Sequence, residues 1–126
     1  MGLDMYLKKY DKGMGNLIDG ERAYWRKANQ IRAWLVSKAG YPYGHNCEVY
    51  PLSKETLENL LSDCKKVLND HSCAPQIMPT SEGFFFGSTE YDEDYFRDIE
   101  YTVDVLSEIL EETDFNKETI AYFEWW

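Results

Sequence analysis

The sequence predicts an α+β domain, one small sheet of about four strands packed with three helices in the order β-α-β-α-β-α-β. Three observations carry that prediction. Segments with apolar residues at helical spacing alternate with short alternating or continuous apolar runs. Apolar residues make up 44% of the chain and aromatic residues 16%, too many for a disordered polymer even with 29% charged residues. Finally, no internal repeat, low-complexity stretch or long linker divides residues 1–126, so they form a single domain, able to bury roughly two thirds of its unfolded surface.

Taken in order, residues 3–10 begin with Leu3, Met5 and Leu7 on one face, an alternation that predicts a strand. Gly13, Gly15 and Gly20 then break the chain into a loop. From Glu21 to Lys38, Tyr24, Ala28, Ile31 and Leu35 fall on one helical stripe, which predicts a first helix ended by Gly40 and Pro42. Cys47 to Tyr50 reads as a short strand. Leu52-Ser53 with Leu57 is a hydrophobic staple around a serine N-cap, opening a second helix with Leu57, Leu60, Leu61, Cys64, Val67 and Leu68 on one face. Pro75 and Pro79 bracket a loop. The continuous apolar run Phe84-Phe85-Phe86 reads as an interior strand. Thr89 reads as the cap of a long third helix reaching about Glu112, with Asp92 at N3 and Tyr95, Ile99, Thr102, Leu106 and Ile109 facing inward. The β-branched and aromatic content of residues 119–126 predicts the last strand.

Charge is distributed unevenly along this plan. The formal net charge is −10; residues 1–50 hold 8 basic and 5 acidic side chains, net +3, and residues 51–126 hold 5 basic and 18 acidic, net −13. An acidic chain is repelled by phosphates, so no direct nucleic-acid partner is expected. The third helix concentrates the acid, with Asp92, Glu93, Asp94, Asp98, Glu100, Asp104 and Glu108 answered only by Arg97. Glu108, Glu111 and Glu112 lie near its C-terminus, where the helix dipole opposes them by about 0.3–1 kcal/mol each. These carboxylates either form a solvated face or meet a basic surface of another protein.

Other constellations are weaker. His45-Asn46-Cys47 and His71-Ser72-Cys73 hold zinc-type ligands at an unfamiliar spacing, so no metal site is assigned. Asp92, Asp94 and Asp98 lie close enough on one helix to hold Mg²⁺ beside a substrate phosphate, the basis of a metal-dependent phosphohydrolase reading. Catalytic motifs such as G-x-S-x-G, H-E-x-x-H and the Walker loop are absent, and neither a catalytic residue nor a cofactor is assigned. On the predicted first helix, Trp25, Asn29 and Arg32 share one flank and with Tyr91 could stack on a base and hold a phosphate. The alternative is that Trp25 finishes the core while Arg32 pairs with the acidic third helix.

Three cysteines, with no C-x-x-C, suit a reducing cytosol. Asp4 stands where a secretory leader carries lysine, and no apolar run is long enough to span a membrane. Gly2 lacks the Ser or Thr that myristoylation wants, since Tyr6 occupies that place.

The stretches Gly2-Leu3-Asp4-Met5-Tyr6-Leu7, Asn46-Cys47, Met78-Pro79-Thr80 and Gly83-Phe84-Phe85-Phe86-Gly87-Ser88-Thr89-Glu90-Tyr91-Asp92, with the aromatic C-terminal segment, resemble a group of small proteins encoded in bacteriophage and prophage genomes. The likeness covers nearly the whole chain, and His45 and His71 lie outside its pattern. It implies a phage accessory product acting in the bacterial cytoplasm. The expected function is therefore non-enzymatic: binding and inhibiting a basic host protein, such as an antiphage defence factor, through the acidic third helix. The alternatives are a sponge that sequesters a nucleotide signal at Trp25, Asn29, Arg32 and Tyr91, and the phosphohydrolase above.

Overall fold

The computed structural model describes residues 2–11, 17–41, 49–82 and 87–126. The expected Phe84–Phe86 strand, and His45, Cys47 and Pro42, lie outside the described residues. An α+β fold is what the chain adopts: among the described residues, a single antiparallel sheet of four strands with helices packed on it.

Strand β1 (Asp4–Asp11) and strand β2 (Leu17–Arg26) pair as a hairpin, with Met5 opposite Trp25 and Leu7 opposite Ala23. Strand β4 (Glu118–Trp125) lies on the other side of β1 and carries β3 (Tyr50–Leu52) at its far edge, giving the order β2-β1-β4-β3. Pro51 is tolerated in β3 because that strand is an edge. The inward face of β1 and β4 presents Met5, Leu7, Ile120, Tyr122 and Glu124, all buried.

Strand β2 corrects the expected first helix. Residues 21–26 alternate Ala23 and Trp25 inward with Tyr24 and Arg26 outward, and the chain turns at Lys27, whose φ of 57° is a left-handed value unusual for a residue with a Cβ. Only then does helix α1 (Asn29–Lys38) begin. Ala28, Ile31 and Leu35 are buried as the stripe requires, whereas Tyr24 is an exposed strand residue. Helix α1 is enclosed on several sides: Arg32 reaches β4, Gln30 donates to the Tyr95 carbonyl, and the Trp34 indole donates to Asp63 at 2.8 Å.

Helix α2 (Lys54–Asn69) starts as its sequence signals, with the Ser53 hydroxyl accepting from Thr56 N and Leu52 and Leu57 both buried. A 3₁₀ turn, His71–Cys73, runs into helix α3 (Ala74–Ile77), which takes up residues 75–77 of the expected loop between Pro75 and Pro79; Pro75 fits there because the first helical turn needs no N–H from it. Helix α4 (Glu93–Glu112) buries Tyr95, Ile99, Thr102, Leu106 and Ile109, the expected stripe in full. Its cap is Asp92 rather than Thr89: the Asp92 carboxylate accepts from Tyr95 N at 3.1 Å, so Asp92 stands outside the helix and not at N3. The element order is therefore β-β-α-β-α-α-α-β, with α3 a single turn. Among the described residues no helix is long and apolar enough to cross a membrane.

Candidate functional site

The outer face of α4 is strongly acidic. Glu93, Arg97, Glu100, Asp104, Glu108 and Glu111 succeed one another at three- or four-residue steps and all are exposed, so they form one row along the helix. Arg97 interrupts the row once and donates to Asp94 at 2.9 Å. Among the described residues no lysine or arginine lies within ion-pair distance of Glu100, Asp104 or Glu108. Like charges one turn apart, Glu100 with Asp104 and Asp104 with Glu108, each cost about 0.2–0.5 kcal/mol in low salt. Adding the dipole penalty at Glu108, Glu111 and Glu112 brings the total to roughly 1–4 kcal/mol against the helix. Asp98 departs from the row: it is half-buried, and burial raises its carboxyl to about 6 against the partial compensation of a Gln30 hydrogen bond. Of the seven expected partner-binding carboxylates, Glu93, Glu100, Asp104 and Glu108 thus share one face, Asp94 is paired, Asp92 caps the helix and Asp98 turns inward.

The four expected ligand-binding residues are dispersed. Trp25, on β2, is buried, and its indole N–H donates to Thr102 Oγ1 at 2.8 Å. Buried Asn29 receives the Ser81 N–H at 3.0 Å on its oxygen and donates to the Ser88 carbonyl at 2.8 Å, tying the two strands of chain that flank residues 82–87. Arg32, 2% exposed, meets Glu124, 0% exposed. Its partner is therefore the last strand, not the acidic helix. Arg32 Nε donates to both Glu124 oxygens at 2.9 and 3.0 Å, and the Tyr122 hydroxyl (2.8 Å) and Trp126 indole (2.7 Å) donate to the same carboxylate. The guanidinium also lies 5.9 Å from the Tyr41 and Trp126 ring centres. Burial, and then the charge of Glu124, raise the Tyr122 hydroxyl well above its ordinary range. Tyr91 stands apart, its hydroxyl accepting from Thr80 N at 3.2 Å.

The chain matches no known family, characterised protein or solved structure.

For metal chemistry, the described residues contain no group of three or more His, Cys, Asp and Glu side chains able to hold an ion, so Asp92, Asp94 and Asp98 do not assemble a Mg²⁺ site there. His71 instead stacks on Phe96 at 3.8 Å. Cys64 is a core residue beside Met78, its thiol pushed up to about 12 chiefly by burial.

Sequence reasoning missed a cleft of about 280 Å³ between the β2–α1 turn and the start of α4, lined by Lys27, Gln30, Ser88 and Asp98 among others. The only sequence signal for it was the pair of glycines, Gly2 and Gly87, that bracket Lys27.

Proposed function

We propose that this chain is a phage accessory protein, acting without catalysis in the bacterial cytoplasm, that binds and inhibits a basic host protein through the outer face of α4. The observation that carries the reading is the row Glu100, Asp104 and Glu108, exposed and unneutralised among the described residues at a cost to the helix that bears it. A face that opposes helix stability and projects uniform negative charge fits a positively charged surface, and a net charge of −10 speeds encounter with it. The resemblance to phage-encoded proteins is the support for seeking the partner in an infected cell, and an antiphage defence factor is the target proposed.

The test is capture from infected cells with wild type and with a Glu100→Lys, Asp104→Lys, Glu108→Lys triple variant, followed by binding of the purified partner at graded ionic strength. A basic host protein should bind wild type, weaken steeply as salt rises, and be lost by the triple variant. Binding that withstands both salt and charge reversal overturns the proposal.

A further inference from the structure

Lys27 and Asp98 carry opposite charges, line the same cleft and do not meet. At one end the Lys27 backbone is fixed in its left-handed turn by its N–H donating to the Leu3 carbonyl at 2.7 Å. Glycines close in on both sides: a Cβ at Gly87 would stand 3.0 Å from Lys27 Cβ, and one at Gly2 would stand 2.8 Å from Lys27 Cε. Arg26, beside it, is already engaged with Asp4 at 3.4 Å. At the other end Asp98 is half-buried beside Gln30, and the nearest cation on its own helix, Arg97, is turned to Asp94. Among the described residues neither Lys27 nor Asp98 has an ion-pair partner.

Two opposite charges that line one depression without meeting can each hold the opposite charge of a ligand. A purely anionic ligand would face Glu90, Asp92 and Asp94, and a purely cationic one Arg26, Lys27 and Arg97. A molecule of matching polarity along its length avoids both repulsions. Gly2 lies against Lys27 and Arg26, Asp4 pairs with Arg26, and Gly87 and Ser88 line the cleft, so segments far apart in sequence frame this place.

We propose that the cleft binds a small molecule with an N–H donor group at one end, held by Asp98, and a carboxylate or phosphate at the other, held by Lys27. This site is separate from the α4 row and its test does not depend on a protein partner. Two sources supply that chemistry, a free amino acid with a guanidinium side chain and a purine nucleotide. The experiment titrates the isotope-labelled full chain with L-arginine and with GMP, and separately with methylguanidinium and with inorganic phosphate, while following the amide resonances of Gln30, Ser88 and Asp98.

Saturable shifts with arginine identify the amino-acid source, and shifts with GMP the nucleotide source. Asp98→Asn and Lys27→Gly should each weaken that binding by at least about tenfold, as loss of a charge-assisted hydrogen bond does, while unfolding curves show both variants folded. The proposal is overturned if neither two-ended probe binds at millimolar concentration. It is also overturned if methylguanidinium or phosphate alone binds as well, or if folded variants bind like wild type.

Discussion

Glu124→Gln is the most informative single change in the core. It keeps the shape of the side chain and removes only its charge, leaving the Arg32 guanidinium, 3% exposed at its side chain, opposite a neutral amide. Breaking a buried ion pair from one side costs about 3–5 kcal/mol, because the surviving charge remains out of water. Arg32→Met does the same from the other side, stranding a carboxylate that retains only the Tyr122 and Trp126 donors. If the two charges act as a unit, the double variant loses little more than either single one, so the coupling is of the order of 3 kcal/mol. A domain of this size has about 5–15 kcal/mol of stability in all, so each single variant keeps a measurable folded baseline. Urea unfolding of all four proteins, read by Trp fluorescence, gives the cycle from the midpoints at constant slope. Losses that simply add, with coupling below about 0.5 kcal/mol, would refute the reasoning.

Asp98 prefers its proton in the folded chain, since burial raises it to about 6 from 3.8. The native state therefore binds more protons than the unfolded one between these values, and Asp98 lowers stability as pH rises through that window. After discounting for its partial exposure, Asp98→Asn should stabilise the chain by about 1 kcal/mol at neutral pH, with the gain vanishing below pH ~4; a constant difference at all pH values contradicts this. Asn29→Ala strips the Ser81 N–H and Ser88 carbonyl of their partner and should cost about 1–3 kcal/mol; hydrogen exchange at Ser81 should accelerate with it, and unchanged protection would count against the bridge. Glu108→Lys and Glu112→Lys should each raise thermal stability by about 0.3–1 kcal/mol in low salt and by less in high salt; a loss would mean the carboxylates hold unseen cations.

The elements read most fully from sequence are those with one apolar face. Helix α4 buries its stripe of Tyr95, Ile99, Thr102, Leu106 and Ile109 on one side only, and α2 carries its own cap and staple. Helix α1 is enclosed by sheet, α2 and α4, so its buried residues Asn29, Gln30, Ile31 and Arg32 run consecutively and leave little periodicity to detect. That is why the sequence pattern runs β2 and α1 together as one helix. Tyr24, four residues before Ala28, fits the helical stripe by coincidence, and the left-handed turn at Lys27 that separates strand from helix is made by a residue type that does not announce it. The acidic row follows directly from spacing. The Arg32–Glu124 contact, 92 residues apart in the chain, and the cleft beside Asp98 arise only when remote segments are brought together, and no local pattern encodes either.

Strand β4 lies inside the sheet, between β1 and β3, although its residues 118–125 come at the far end of this sequence. During synthesis the β1–β2 hairpin can leave the ribosome and pair early, but β3 has no neighbour until β4 arrives, and Glu124, the counter-charge of Arg32, arrives with it. Until then a half-made sheet and a stranded arginine wait in the nascent polypeptide. Native assembly of the sheet is thereby delayed until residues 118–125 have been made, when one segment inserts and completes its hydrogen-bonded middle.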